Sequence, residues 1–558
     1  MACALVLSGC SSSYYRRSAD KEVYGIVQTV EQQIFGHTNA FTINTPYSSR
    51  KPSEIPPSEL IEDRLQTNLR VLTVEGALEL AVTNSRTYQS AKETLYLTTL
   101  TLTGEKYAFG PQFFARSKGR VERNASGDTV ANLNNQVGVS ELLMSGGSLG
   151  VNLANDILRY YTGDPRQSIL SAISVDLSQP LLRGFGANNP AVEALTQAER
   201  NVVYAVRQYE YFQDEFAMDV VNDYFSLLAQ KDLIRNRYKD YQSWVQSTKR
   251  LEARAHDREK LVDVDQARQQ ELAAKNSYIN ALANYRNTLD QFKIRLGLAV
   301  GESVRLDDGA LGELEEKGLV PALLDSDAAY RLAVTNQLRI LKAIDQFEDS
   351  KRKVRVAADQ LRPGLNFFAS TSFNSEPPQD YTRFDPDKWR GGVGLELDLP
   401  INPVPRRNNY RATLVSFEAE LRSLTLALDN LKESIDRGER TLLQKQQNYL
   451  IQKNALELAK RRVASITMLL QAGRAEVRDL VDAQNAQLLS ENAVTAALVE
   501  YQVARLQLLL DVGVLDTSRP QFWLKDHLPG LLVAGRSRET QAEAANQAVV
   551  PPEQFFKN

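Results

Sequence analysis

Cysteine and histidine are scarce in this chain of 558 residues. Its two cysteines, Cys3 and Cys10, lie within the first ten residues, and its three histidines are scattered at His37, His256 and His527. Cysteines so close to one end cannot cross-link a fold of this size, which excludes a disulfide framework. The histidines have neither the spacing of a metal site nor the partners of a catalytic triad. The sequence therefore predicts no metal, no cofactor and no enzyme active site.

Charge of one sign and long apolar runs are also missing. The chain has 66 basic and 69 acidic residues, so its net charge is −3 and no broad positive field would attract nucleic acid. No apolar run approaches the roughly 18 residues of a membrane-spanning helix, and the mean hydropathy is −0.36. The glycine-rich segments 145–150 and 183–186 lack the phosphate-binding lysine and the dinucleotide-binding spacing, which predicts turns. If this chain crosses a membrane, β-strands must do so.

What the sequence does contain is a duplication. The stretch from Gly473 to Gly513 has no proline and no internal glycine, which predicts one long helix. The same pattern occurs 216 residues earlier, the offset between Arg258 and Arg474 (474 − 258). The matching pairs at this offset include Asp263 and Asp479, Ala267 and Ala483, Asn276 and Asn492, Tyr285 and Tyr501, and Gly297 and Gly513. Identities without a gap indicate an internal repeat.

A second pair of matching segments extends this repeat towards the N-terminus. The sequence of Leu80–Asn84 recurs unchanged as Leu332–Asn336. In each half the pattern predicts a short helix, then a β segment, then two long helices. We therefore interpret the chain as a tandem duplication, with halves near 70–300 and 325–515.

The β segment of each half shows alternating apolar and polar residues. This alternation covers 149–154 and 173–178 in the first half and 393–399 in the second, and it predicts strands with one apolar face. The loops between strands are expected at 124–135 and 374–387. An additional turn at 145–148 leaves room for one extra hairpin in the first half. The predicted fold class is α+β, with at least two strands per half and about four per chain.

The helical segments are unusually long. After Pro190 the pattern stays helical to about Gly297, and after Pro405 it stays helical to about Gly513. A helix of about 65 residues is about 100 Å long. Such helices cannot bury themselves in one globule, so they must pair lengthwise with each other or with other copies. A shorter helix is predicted from Thr73, a suitable N-cap, to about residue 103.

Four strands per chain cannot close a membrane barrel, because the smallest such barrels have about eight. An open sheet would leave unpaired strand edges, which hydrocarbon does not tolerate. If the strands span a membrane, several copies must therefore contribute to one barrel. A soluble sheet covered by helices is the alternative.

The N-terminus has the character of a secretion signal. Residues 1–10 are apolar and end in Leu7–Cys10, which resembles the lipobox of bacterial lipoproteins. Processing there would remove residues 1–9 as a signal peptide and acylate Cys10, for example with palmitate. Ser11 follows, rather than the aspartate typical of inner-membrane retention, which favours the outer membrane. The apolar segment is short and no Lys or Arg precedes it, which leaves open an earlier start codon or an ordinary apolar N-terminus.

The ordered repeat resembles TolC-type outer-membrane efflux proteins over residues 70–515. The segment Leu177–Gly184 (LSQPLLRG) and the turn-and-helix motif Gly473–Gln484 (GRAEVRDLVDAQ) carry the resemblance together with the repeat. It implies a homotrimer in which each protomer gives four strands to one 12-stranded barrel and helices to a coiled-coil α-barrel in the periplasm. It also implies a periplasmic adaptor protein and an inner-membrane pump as partners, in a tripartite efflux or type I secretion system. The implied location is the outer membrane of a Gram-negative-type bacterium.

The same resemblance implies a gate at the periplasmic mouth. The family's inward-pointing acidic residues correspond to Asp479 and Asp482 in the second helical hairpin and to Asp263 in the first. In a threefold assembly each would form a ring of three carboxylates, which favours cations and is blocked by multivalent ones. Acidic residues in the first turn of a helix are also favoured by the helix dipole, and this is the alternative interpretation.

The hairpin tips are the expected contacts for the adaptor. They contain His256 and Arg258 in the first hairpin and Gly473 and Arg474 in the second. The first tip lacks the glycine usual in the family. The second has Ala475 where the family often has an arginine that holds the mouth shut.

Two functions are compatible with this sequence. The first is a passive exit duct for small molecules or proteins, and the second is a non-conducting coiled-coil envelope lipoprotein that spaces membranes or binds peptidoglycan. A spacer would have no need of amphipathic strands. The predicted boundaries are a signal peptide at 1–9, an extended tether at 10–70, a first repeat at 71–300, a linker at 301–324, a second repeat at 325–515 and a largely disordered tail at 516–558.

Overall fold

The structure is a computed structural model that divides into two compact units. It describes residues 11–65, 67–123, 125, 127–160, 167–254, 261–320, 325–375, 384, 387, 389–472 and 474–525. Among these, unit 1 comprises 11–42, 93–207 and 342–426, and unit 2 comprises 43–92, 208–341 and 427–525. Cys10, His256, Arg258 and Gly473 lie outside the described residues.

Helices and strands follow each other in the same order in both halves of the chain. The helices are α1 (Ser12–Phe35), α2 (Pro57–Leu65), α3 (Val74–Asn84), α4 (Arg86–Ala108), α5 (Pro190–Arg254), α6 (Leu261–Arg295), α7 (Gly309–Lys317), α8 (Ser326–Asn336), α9 (Leu338–Asp359), α10 (Val404–Gln471) and α11 (Val477–Val512). The strands are β1 (Leu69–Leu72), β2 (Gln112–Arg123), β3 (Thr129–Leu142), β4 (Ser148–Tyr160), β5 (Gln167–Pro180), β6 (Ser303–Leu306), β7 (Gly364–Asn374) and β8 (Arg390–Asp398).

In the part of the chain that the structure describes, the main sheet of unit 1 has six strands, not about four as the sequence predicted. Its order is β2-β3-β4-β5-β7-β8, and every neighbouring pair is antiparallel. The extra hairpin is confirmed, since β3 and β4 are joined by a turn at 143–147. The expected loop at 124–135 is wrong, because β3 begins at Thr129. Asn132 and Asn134 suggested a loop, but they lie on the polar face of the strand.

The segment 10–70 is not the extended tether that its proline and serine content predicted. Helix α1 covers 24 residues and buries Val23 and Val27 completely. The Tyr96 hydroxyl of α4 donates a hydrogen bond to Asp20 of α1 at 2.8 Å. The apolar positions of α1 recur at helical spacing, which overrides the weak propensity of its polar start.

The segment 301–324 is likewise more than a linker. Its strand β6 pairs in parallel with β1, so that Leu69–Leu72 runs beside Ser303–Leu306 in unit 2. The buried Tyr224 hydroxyl of α5 donates to the carbonyl oxygens of Leu72 at 2.8 Å and Asp307 at 3.0 Å. This small parallel pair therefore ties the start of the first repeat to the chain segment that follows it.

The long helices end where the repeat predicts. Helices α6 and α11 end at Arg295 and Val512, near the matched glycines Gly297 and Gly513. The predicted N-cap is confirmed, since Thr73 accepts a hydrogen bond from the Gly76 amide at 3.1 Å. Helix α11 is long and apolar enough to cross a membrane by composition, but 61% of its most apolar window is buried within the protein. We therefore interpret α11 as a core helix.

The first part of the predicted disordered tail is ordered and buried. Phe522, Trp523 and Leu524 form a short 3-10 turn and are at most 4% exposed. The buried Arg505 of α11 donates to the Trp523 carbonyl at 3.1 Å. Aromatic side chains bury a large apolar area, so the burial of Phe522 and Trp523 stabilises this turn. Residues 526–558 lie outside the described residues.

An ion-pair network joins α5 and α9 in unit 1. The Asp349 carboxylate, on a residue 2% exposed, contacts Arg352 at 2.9 Å and accepts a hydrogen bond from Tyr204 at 2.5 Å. Arg352 also contacts Glu193 at 2.6 Å. Burial opposes ionisation of Asp349, but the hydrogen bonds from Tyr204 and Arg352 lower its pKa. These charges connect a helix of the first repeat to one of the second.

Candidate functional site

The six-stranded sheet has one apolar face and one polar face. Directly opposite residues form an apolar row across five strands, composed of Ala115, Val137, Leu153, Ile173 and Phe373. Several of these side chains and their neighbours are exposed, including Val137 at 55%, Leu395 at 64% and Val393 at 76%. Exposed apolar side chains over a whole sheet face mark a contact with lipid or with another protein.

The opposite face carries hydrophilic side chains. Arg116, Lys118, Asn134, Asn152 and Glu396 occupy the alternate positions of their strands. Asn134 donates to Asp156 of the neighbouring strand on this face. A sheet with this two-residue alternation can separate lipid on one side from water on the other.

One polar row interrupts the apolar face. Ser117, Asn135, Asn155 and Ser171 lie directly opposite each other along the row. Ser117 donates to Asn135 at 2.7 Å, and Asn155 donates to Ser171 at 2.8 Å. Because these polar groups bond to one another, the row loses less on contact with an apolar medium than unpaired groups would.

The segment Leu177–Gly184, which carried the family resemblance, forms the junction between sheet and helices. Gln179 accepts a hydrogen bond from the Ser145 hydroxyl at 2.6 Å and donates to the Ser145 carbonyl at 3.1 Å. The Gly184 amide donates to Asp359 at the end of α9 at 2.7 Å. Arg183 contacts Asp398, the last residue of β8, at 2.7 Å. The motif thus fixes the extra turn and both repeats at one end of the sheet.

The two edge strands of the sheet each have one neighbour among the described residues. They are β2, whose inner partner is β3, and β8, whose inner partner is β7. Strand β2 runs away from the helix that precedes it, and β8 runs towards the helix that follows it. The exposed edges therefore have opposite directions, and each presents unpaired backbone groups that can bind another strand.

The hairpin ends pack against each other in unit 2. Trp244 and Leu251 of α5, Ala267 of α6, and Val477 and Val481 of α11 form one buried cluster. Trp244 is 1% exposed, and the matched alanines of the repeat, Ala267 and Ala483, are both fully buried. Small residues at these equivalent positions allow close approach of the helices. The two hairpins are thereby held at a common level.

The acidic residues of the second hairpin lie on the exposed side of α11. Val477, Leu480 and Val481 are buried, whereas Asp479 and Asp482 are exposed. The Asp479 carboxylate also accepts a hydrogen bond from the Glu476 amide at 3.1 Å. Asp479 thus satisfies a free amide at the helix N-terminus. That contact leaves the carboxylate accessible to solvent.

The remaining tip residues are placed as follows. Asp263 is half-buried in the first turn of α6, at the position equivalent to Asp479. Arg474 is exposed and its backbone amide donates to the Leu469 carbonyl at 2.8 Å. Within the described residues, no cluster of His, Cys, Asp and Glu could hold a metal ion. Among the described tip residues, Arg474, Asp479 and Asp482 are thus exposed charged side chains.

Sequence reasoning missed three structural contributors. They are helix α1, the strands β2 and β3, and the C-terminal turn that Arg505 holds. The signal for β2 was present, since Phe113, Ala115 and Val121 alternate with Phe114, Arg116 and Glu122. Its charged alternate positions resemble a loop unless the pattern is read with a period of two.

No family model matches this sequence, and no curated protein matches it. Solved structures do match. The open state of the Neisseria gonorrhoeae MtrE outer membrane channel has a TM-score of 0.60 at 12% identity, over 79% of this chain and 88% of that chain. The Campylobacter jejuni CmeC outer membrane channel has a TM-score of 0.59 at 13% identity, over 85% and 89%. The outer membrane protein VceC from Vibrio cholerae has a TM-score of 0.58 at 13% identity, over 79% and 96%.

At such low identities these structural matches show the fold alone. The chain has mixed helices and sheet arranged as in outer-membrane channels. The predicted resemblance to TolC-type outer-membrane efflux proteins is therefore confirmed at the level of the fold. The predicted number of about four strands per protomer is wrong, because the main sheet has six strands among the described residues.

Proposed function

We propose that this protein is a passive exit duct of the outer membrane, through which small molecules or proteins leave the periplasm. The observation that carries the proposal is the six-stranded sheet with one apolar face, one polar face and two unpaired edges. Such a sheet is unstable in hydrocarbon alone but closes when copies join edge to edge. In this proposal a partner pump supplies the energy for transport.

The strand lengths support a membrane crossing. Strand β8 has nine residues and β3 has fourteen. A tilted transmembrane strand needs about 9–11 residues. The apolar face would then contact lipid, and the polar face would line the water-filled interior.

The proposed assembly is a homotrimer. Three copies of the six-stranded sheet supply eighteen strands (3 × 6), rather than the twelve that the resemblance implied. Barrels of 16–18 strands enclose an aqueous channel. The long helices of the three copies would pair lengthwise, in the periplasm, as a helical tunnel.

The hairpin tips are the proposed periplasmic end of the duct. Asp263, Asp479 and Asp482 would form rings of carboxylates at the mouth, which attract cations. The exposure of Asp479 and Asp482 supports this role. Arg474, together with His256, Arg258 and Gly473, would contact a periplasmic adaptor that connects to an inner-membrane pump. Acylation of Cys10 would anchor each copy in outer-membrane lipid.

The first experiment is to measure the mass and heat stability of the detergent-extracted protein and then to record single channels from the same material. A trimer that conducts supports the exit duct. A monomer, or an oligomer that never conducts, would contradict it and favour the non-conducting envelope lipoprotein. Deletion of Ile173–Leu177 separates the two functions further, because it should abolish conductance but leave a spacer intact.

A further inference from the structure

We propose that β8 of one copy binds β2 of a second copy in a single register, in which Glu396 lies opposite Arg116 and Arg390 lies opposite Glu122. The inference rests on the proposed function in one respect, which is that the sheet closes into a barrel with other copies. It does not depend on how many copies take part.

Direction and face limit the possible registers. Strand β2 runs outwards from α4 and β8 runs back towards α10, so the joint between copies is antiparallel. The even-numbered residues of both strands share the polar face, as Arg116 and Glu396 do. Even residues must therefore lie opposite even residues, because a one-residue slip would turn every side chain to the wrong face. Allowed registers differ by steps of two residues.

The positions of the strand ends limit the number of possible registers between β8 and β2. A row of directly opposite residues starts at Gln112 in β2 and ends at Gly392 in β8; it runs through Ser140, Gly150, Asp176 and Ser370. Gly392 lies six residues before Asp398, where β8 ends near the helices (398 − 392). Gln112 lies at the start of β2, next to the helices. When the helix-side ends of β2 and β8 lie at one level, Gly392 lies opposite a residue about six to eight positions beyond Gln112 in the next copy.

Barrel geometry gives the same range independently. With a rise of about 3.3 Å per residue and a strand spacing of about 4.8 Å, a shift of eight residues over six strands gives a tilt of about 42°. A shift of six gives about 35°, whereas shifts of four and ten give about 25° and about 49°. Membrane barrels have tilts of about 35–45°. Only the shifts of six and eight residues give a tilt in this range.

Charge selects between these two registers. With a shift of eight, Glu396 lies opposite Arg116 and Arg390 lies opposite Glu122. With a shift of six, Arg390 lies opposite Arg120 and Glu396 lies opposite Phe114. Opposite charges directly across a strand pair are stabilising, and like charges are destabilising. The register with two complementary pairs is therefore favoured.

The side chains of the first charge pair are available for this contact. Arg116 and Glu396 are exposed, and neither forms an ion pair with a described residue, although Arg116 lies over the Phe114 ring of its own strand at 5.6 Å. In the second pair, Glu122 contacts Arg120 of its own strand at 3.1 Å, so Arg390 of the other copy would join an existing ion pair. In the favoured register Arg120 lies opposite Gly392, where an added Cβ would meet nothing within 4 Å. This open space accommodates a long arginine side chain beside the strand.

Cysteine cross-linking tests the register directly. In a full-length chain with Cys3 and Cys10 replaced by Ser, Glu396→Cys is combined with Arg116→Cys or with Phe114→Cys. Directly opposite residues have Cα atoms about 4.5–5.5 Å apart, within disulfide range, whereas diagonal ones do not. We expect oxidation to link subunits several-fold more efficiently with the Arg116→Cys pair. Preferential linking with Phe114→Cys, or no linking between subunits with either, would overturn the proposal.

Charge reversal gives a second measurement that needs no cysteine. Arg116→Glu should lower the temperature at which the detergent-extracted oligomer dissociates, and adding Glu396→Arg should restore most of the loss. The matched control combines Arg120→Glu with Glu396→Arg. In this combination Glu396→Arg should not restore the dissociation temperature. Loss of rescue in the first combination would contradict the register. A cross-linked oligomer that never conducts would instead leave the register standing and refute the exit duct.

Discussion

Gly297, at the end of α6, lies so close to Asn84, at the end of α3, that an added Cβ would overlap the Asn84 carbonyl group. The equivalent glycine of the second repeat, Gly513, has the same relationship to Gln337, whose Cα would lie 3.0 Å from an added Cβ. Both glycines have a positive φ of 77°. The identical segments 80–84 and 332–336 of the two repeats thus each end against a glycine that closes a long helix.

Gly297→Ala is expected to destabilise the protein by at least about 1–3 kcal/mol, because a left-handed backbone and a steric overlap coincide there. The measurement is the thermal unfolding midpoint in detergent. Gly312→Ala is the control, since that helical glycine has open space around it and alanine favours helix. Equal midpoints for the two variants would contradict the argument.

Asp214 is expected to make stability depend on pH. Burial raises the pKa of Asp214 to about 7, although the Thr517 hydroxyl, at 2.6 Å, donates a hydrogen bond to the carboxylate. The folded protein therefore binds a proton more tightly than the unfolded chain, whose aspartate has a pKa of about 3.9. This contribution to stability is fully present below about pH 4 and is lost as pH rises towards 7.

Asp214→Asn should remove that loss, because an amide can still accept the Thr517 hydrogen bond and does not ionise. The comparison is the difference in unfolding midpoint between pH 5 and pH 8 for the wild type and the variant. An unchanged pH dependence would show that Asp214 is ionised throughout this range.

Replacing Asp479 and Asp482 together with Ala should raise conductance or weaken block by multivalent cations, because the mouth would lose its negative field. Single-channel recording in planar bilayers measures both. Glu457→Ala removes one exposed charge from α10 and should change neither. Since Asp479 also caps α11 through the Glu476 amide, the single variant Asp482→Ala separates the charge effect from the loss of about 1 kcal/mol of cap stability. Unchanged currents would refute the gate.

The orientation of the sheet is tested by two adjacent residues of β5. Val175 lies on the apolar face and Ser174 on the polar face. Val175→Arg should reduce assembly, since an arginine facing lipid costs up to about 2–4 kcal/mol, whereas Ser174→Arg should be tolerated. The yield of heat-resistant oligomer from membranes is the measurement. The reverse order of sensitivity would place lipid on the other face.

Cys10→Ser should remove acylation and leave assembly intact. We expect the variant to lose incorporation of labelled palmitate while still forming oligomers in the outer membrane. The sheet and helices carry the subunit contacts in this proposal, so the lipid serves only as an anchor. Disappearance of the oligomer would show that the lipid is needed for assembly.

The sequence revealed the elements whose pattern is regular over many residues. The matched ends of α6 and α11, and the Thr73 cap, follow from the repeat and from local chemistry. Strand β3 was not recognised, because asparagines on the polar face of a strand resemble a loop in sequence. Helix α1 is stabilised by the burial of Val23 and Val27. This is tertiary packing, which local composition does not encode. The acidic tip residues were identifiable only through the resemblance, since a first-turn aspartate is common in any helix.

The additional hairpin of β3 and β4 increases the number of strands without increasing the number of helices. A simple duplication would increase both together. At a tilt of about 42°, eighteen strands enclose a circle about 37 Å across between opposite backbones, whereas twelve enclose about 25 Å. In the proposed barrel the β3–β4 hairpin, whose turn is 143–147, thus roughly doubles the cross-sectional area and adds no helix. Because hairpins add strands in pairs, the edges stay opposite in direction and closure is preserved. Such insertions would therefore change the diameter of the barrel while the number of subunits stays the same.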